Sequence, residues 1–162
     1  MFHTADSLPM NRSVPHATVV PILAYPDVRK AVDWLRETFG FTERLQIAEH
    51  RAQLVIGGGA MIVAEYIDRE RRPTEGADYV SHQIMVRVED VQRHYEHAVA
   101  RGAEILQPPV EHMFGERQYV MRDIGGHRWT FSQTMRDVHP SEWGDEHVVL
   151  KQPQGDSRKA SG

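Results

Sequence analysis

The sequence predicts an α+β fold of two βαβββ modules in tandem, forming a curved sheet around a shared cleft. Three observations predict it. The chain meets itself at an offset of 63 residues: Val20-Pro21-Ile22-Leu23-Ala24-Tyr25-Pro26-Asp27-Val28 lies over Gln83-Ile84-Met85-Val86-Arg87-Val88-Glu89-Asp90-Val91, with Asp27 on Asp90. A repeat of that size means two copies of one supersecondary unit. In each copy a β-rich run passes through an aspartate into a stripe of helical period, and a glycine ends it. Short β-patterned segments broken by glycine turns then follow.

In the first copy, Thr18 to Tyr25 is rich in β-branched and apolar residues and makes the opening strand. Asp27 is placed to cap a helix by accepting an otherwise orphan amide. Val28, Ala31, Val32, Leu35 and Phe39 fall on one face of that helix, and Gly40 ends it. Trp34 widens the stripe as a core or rim residue. Phe41 to Ile47 is the second strand, and Ala52–Ile56 and Ala60–Tyr66 form a hairpin around Gly57-Gly58-Gly59. A glycine triplet cradles phosphate only where a helix starts immediately after it. Here a strand follows, so the triplet is a turn.

The charged stretch Asp68 to Asp78 is the connector, broken by proline and glycine. The second copy repeats the order. Asp90 caps a helix with Val91, Tyr95 and Ala98 inward, ending at Gly102. Strands follow at Ile105–Pro108, Arg117–Arg122 and Arg128–Gln133, with a loop over Val110–Gly115 and a turn at Gly125-Gly126. His94 and His97 read as solvated or packed helix histidines, not metal ligands. The organisation is therefore a loose arm over residues 1–16, a domain over 17–136 (modules 17–67 and 80–134), and a largely disordered tail over 137–162. Trp143 is the tail's large apolar anchor.

The chain has 162 residues and is 40% hydrophobic, enough for one substantial core. A net charge of −4 with interspersed signs offers no footprint for nucleic acid. No apolar run approaches the ~20 residues that span a bilayer. The first residues lack the apolar centre of a signal peptide. With no cysteine, disulfides and thiolate chemistry are excluded, which agrees with a cytoplasmic address.

Tyr25-Pro26-Asp27, Trp34 with Phe39-Gly40-Phe41, Val88-Glu89-Asp90-Val91, Gly102-Ala103, Gly115 with Arg117, and Asp123 with Gly126-His127 carry a family resemblance. The chain resembles the vicinal oxygen chelate superfamily, which groups glyoxalase I, bleomycin-resistance proteins and extradiol dioxygenases. The resemblance implies a fold that hosts many activities. It also implies where to look for a divalent metal, since metal-using members place His, Glu or Gln on equivalent inward strand positions. Those positions fall on Val20, Val63 (four after Gly59), Gln83 and Thr130 (four after Gly126). Valine cannot ligate and threonine is a poor donor, so the expected cleft has no metal cofactor. The fallback metal pair is Gln83 with Glu65, which shares the parity of Val63.

Alternation along the strands puts Val20, Ile22, Met61, Val63, Glu65, Gln83, Met85, Arg87, Arg128, Thr130 and Ser132 on the cup face. Leu23, Ile84, Val86, Trp129 and Phe131 go under the helices. The expected ligand-binding residues are Gln83, Met85, Thr130, Arg128, Glu65, Val63 and His112. Glu111-His112 and Glu116-Arg117 stand at the mouth as a possible acid–base pair. The sequence therefore leads to a small-molecule binding protein of the glyoxalase/bleomycin-resistance type, metal-independent and expected to be a homodimer. The rivals are a metal-dependent glyoxalase-like lyase or isomerase, or an extradiol-type dioxygenase, built on Gln83 and Glu65, and an accessory module with a vestigial cleft.

Overall fold

The computed structural model describes residues 9–65 and 82–151. The connector at Asp68–Asp78 and the tail beyond residue 151 lie outside the described residues. Two β-α-β-β-β units follow one another. The first is β1 (Ile22–Tyr25), α1 (Val28–Phe39), β2 (Thr42–Ile47), β3 (Arg51–Ile56) and β4 (Gly59–Glu65). The second is β5 (Ile84–Arg87), α2 (Val91–Ala100), β6 (Glu104–Glu111), β7 (Glu116–Arg122) and β8 (Arg128–Thr134). The strands form two four-stranded sheets, β1-β4-β3-β2 and β5-β8-β7-β6, rather than one continuous sheet. In each, the opening strand runs parallel to the last and the other pairs are antiparallel.

Both helices start as their sequences dictate. The Asp27 carboxylate accepts the Lys30 amide at 3.0 Å and Asp90 accepts the Arg93 amide at 3.0 Å. Gly40 closes α1 at φ 85°, its amide donating to the Arg36 carbonyl. The inward face of α1 (Val28, Ala31, Val32, Leu35, Phe39) is buried against the first sheet. Phe39 then reaches the second module, with its ring 4.9 Å from Trp129 and 4.7 Å from Phe131. Trp34 packs edge-on to Phe39 as a rim residue. His127 fastens the modules from the other side, its Nε2 lying 2.8 Å from the Ala24 carbonyl oxygen. The two modules thus share one core.

Two strand boundaries differ from the sequence reading. β1 is confined to Ile22–Tyr25 because Pro21 has no amide to donate; its carbonyl accepts from Ile62 instead. β6 runs on through Pro108-Pro109 to Glu111, which the sequence assigned to a loop. It is an edge strand whose pairing with β7 shifts register twice, which is where prolines are tolerated. The chain ends also make contacts. Pro15 and Val138 are buried, and the Trp143 indole donates to the Val138 carbonyl at 2.9 Å.

Candidate ligand cleft

Register decides which side chains share a face. In parallel β1 and β4, Leu23 stands beside Val63 and Ile22 beside Ile62. Leu23 is in the core, so Val63 is too, with no exposure. Met61 and, by the same alternation, Glu65 belong to that helix-side face as well. The expected cup positions Met61, Val63 and Glu65 are therefore one residue out of phase. The open face of the first sheet instead carries Ile22, Ala60, Ile62, Ala64 and Gln53, which pairs with Ile62. A one-residue slip moves a whole strand to the other side. Its origin is the glycine triplet: the turn uses Gly57-Gly58 and β4 already begins at Gly59. Gly58, not Gly59, is the counterpart of Gly126, so Ile62 stands where Thr130 stands in the second module.

In the second module the expected faces hold. Trp129 and Phe131 are fully buried in the core, while Met85 pairs with Thr130 on the open side. There the Thr130 hydroxyl donates to Gln83 Oε1 at 3.0 Å. The polar row continues: Ser132 donates to Glu116 at 2.6 Å, and Gln118 shares that face two residues along β7. Gln118 lies in the expected strand Arg117–Arg122 but is absent from the expected cup face; pairing with Ser132 puts it there. Arg117 pairs with Glu111, at 2.5 Å.

Between the modules lies a cavity of about 470 Å3. Its walls are Val19, Pro21, Phe41 and Ile56 to Met61 from the first module, with Ile84 to Arg87 and Trp129 from the second. Apart from Arg87 the lining side chains are apolar. Of the expected ligand residues, Met85 alone lines this cavity; Thr130, its partner across β5 and β8, and Gln83 meet each other but are not among the walls. Arg128 is exposed on the same strand face as Thr130, whereas Glu65 is at the end of β4 on the opposite face of its sheet. His112 stacks on Phe114 in the β6–β7 turn and does not line the cavity. Phe41, Ile56 and Val19 were missed. They belong to the strand ends and turn, and alternation says nothing about those.

The helix histidines are packed. His94 lies 4.2 Å from Phe131 ring to ring, with its Nδ1 2.7 Å from the Tyr119 hydroxyl. Burial pushes the His94 pKa down and that of Tyr119 up. His97 binds the Glu37 carbonyl.

The family model described as Glyoxalase/Bleomycin resistance protein/Dioxygenase superfamily matches residues 13–131, well over half of the chain. The chain belongs to that superfamily. Among solved structures it is similar to TioX from Micromonospora sp. ML1, at 38% identity and a TM-score of 0.59, covering 71% of this chain and 96% of that one. The fosfomycin resistance protein FosX from Listeria monocytogenes shares the fold at 17% identity and TM-score 0.59, covering 72% and 92%. A glyoxalase/bleomycin resistance protein/dioxygenase from Nocardioides does so at 19% and 0.54, covering 83% and 92%. No protein of curated function matches.

Superfamily membership raises the question of a divalent metal, and the residues present do not fit one. The four positions hold Val20, Ile62, Gln83 and Thr130, two hydrocarbons and two neutral donors. Thr130 already spends its proton on Gln83. Correcting the register removes Glu65 from the set rather than adding it. Among the described residues no three His, Cys, Asp or Glu side chains converge on a point that could hold a metal. A dication needs more than one amide and one hydroxyl from its protein.

Proposed function

We propose that this superfamily member binds a small, partly apolar organic molecule without a resident metal, and acts by sequestering it. The observation that carries this reading is the apolar cavity of about 470 Å3, whose lining residue Met85 pairs with Thr130, the partner of Gln83. Ligand pockets have this character, a mostly apolar lining with a few convergent polar groups. With its oxygen engaged by Thr130, the Gln83 amide turns its Nε2 hydrogens to a ligand carbonyl. The Thr130 oxygen can still accept from a ligand hydroxyl or N–H.

Ile22 is 59% exposed and Met85 56% exposed on the open faces, which supports the homodimer as the working state. The absence of cysteine supports a cytoplasmic address. No helix is long and apolar enough to cross a membrane among the described residues.

The test is a thermal-shift screen of chelator-treated protein against natural-product antibiotics, thiols and divalent metals. A hit at a hundred times its Kd stabilises by about 2.7 kcal/mol and raises the melting temperature accordingly. The chelator alone leaves the melting temperature unchanged. A hit that binds only after Zn, Ni, Fe or Mn is restored refutes the reading.

A further inference from the structure

On the open face of the first sheet, Gln53 is 2% exposed although its side chain is polar. A buried amide requires partners, and these come from outside the β-ladder. Its Nε2 donates to the Ser13 carbonyl at 2.7 Å, and its Oε1 accepts from the Arg44 guanidinium. Arg44 also reaches the Arg12 carbonyl, at 3.4 Å. The chain's own N-terminal segment thus lies across this face, and Pro15 within it is buried.

Two features set this contact apart from ordinary packing. Arg44 stands in a β-bulge, where the register passes from Glu43–Leu54 directly to Leu45–Gln53. A bulge re-aims a side chain, and this one turns a guanidinium toward the open face. That guanidinium contacts only neutral carbonyl oxygens, and no carboxylate among the described residues lies within ion-pair distance of it. A cavity of about 220 Å3 also opens beside Arg44, walled otherwise by residues of the segment itself.

We propose that Arg44 and Gln53 form a second binding site, for the carboxylate of a small apolar acid, and that residues 9–17 are a displaceable strap over it. A carboxylate satisfies the guanidinium fork better than a peptide carbonyl does, because charge-assisted hydrogen bonds are roughly twice as strong as neutral ones. Ile62, buried on the same face and paired with Gln53, supplies a bed for the apolar part of the ligand. Binding replaces the Arg12 and Ser13 carbonyls and releases the segment.

The probe is hippurate, an aromatic amide carrying one carboxylate, added to the full-length chain. Trypsin cleavage after Arg12 reports strap release, and calorimetry reports binding. Hippurate is expected to bind and to speed that cleavage several-fold. Arg44→Gln removes the charge but keeps an amide donor for Gln53 Oε1, and is expected to weaken binding about tenfold or more with little change in the melting transition. Gln53→Glu keeps the shape, loses the donor to Ser13 and pairs with Arg44. It is expected to speed cleavage without hippurate and to abolish the hippurate response. The proposal is overturned if wild type does not bind hippurate, if bound hippurate leaves the cleavage rate unchanged, or if Arg44→Gln binds it equally well.

Discussion

The Tyr25 hydroxyl donates to Asp123 Oδ2 at 2.6 Å, joining residues 98 apart in sequence inside the shared core. The Trp129 indole donates to the same oxygen at 2.9 Å. The other oxygen, Oδ1, accepts the amides of Gly125 and His127, each at 2.9 Å. One buried carboxylate therefore orders the β7–β8 turn and fastens β1 of the first module to it. Asp123→Asn puts a donor where a donor already points, and Tyr25→Phe leaves one acceptor short. Each is expected to cost about 1–3 kcal/mol in urea unfolding, with the asparagine variant the worse. A loss under about 0.5 kcal/mol for both removes the network from the account of module docking.

Acid should weaken the fold through His94. Burial holds its pKa below the ordinary 6.5, and the neighbouring His97 acts in the same direction. Below about pH 6.5 the unfolded chain binds a proton that folded His94 resists, so stability falls as pH falls toward the folded pKa. Above that pH the contribution is complete. Urea midpoints between pH 8 and pH 5 should show this loss, and His94→Phe should flatten it. Parallel pH profiles for the two proteins would assign the acid sensitivity to another group.

Gly115 is where the β6–β7 turn meets the chain after β8. Its φ is +91°, and a Cβ there would lie 2.1 Å from the Arg136 carbonyl oxygen and 2.8 Å from a Val138 methyl. Gly115→Ala combines a disfavoured backbone conformation with a backbone clash. It is expected to destabilise by about 2 kcal/mol or more and to expose the chain after Arg136 to trypsin. A neutral effect in both measurements would mean that Val138 and Trp143 are not held against this turn.

Much of the fold was legible because its signals are local. Asp27 and Asp90 announce two helix starts, and the stripe ending at Phe39 announces the packed face. The site was less legible, because it depends on register. Nothing in Gly57-Gly58-Gly59 says which glycine closes the turn, and a slip of one carried Val63 from the core to the cup. The bulge at Arg44 and the contact between Ser13 and Gln53 are equally silent in sequence, being properties of pairing rather than of composition. The corrected register makes its own prediction. Val63→Ala should cost about 1–3 kcal/mol of stability while leaving ligand affinity unchanged. An affinity loss without destabilisation would return Val63 to the cleft.

Gln83 carries the account of the cleft, and calorimetry of Gln83→Leu tests it most directly. The substitution nearly preserves volume, and Gln83 is exposed, so the fold should survive. It removes the donor offered to a ligand carbonyl and the acceptor that holds Thr130 in place. One hydrogen bond is worth about 0.5–1.5 kcal/mol net, so Kd for the best ligand from the chelated screen should rise roughly two- to twelve-fold. An unchanged Kd, with that ligand still bound, would place it outside this cleft and contradict the account.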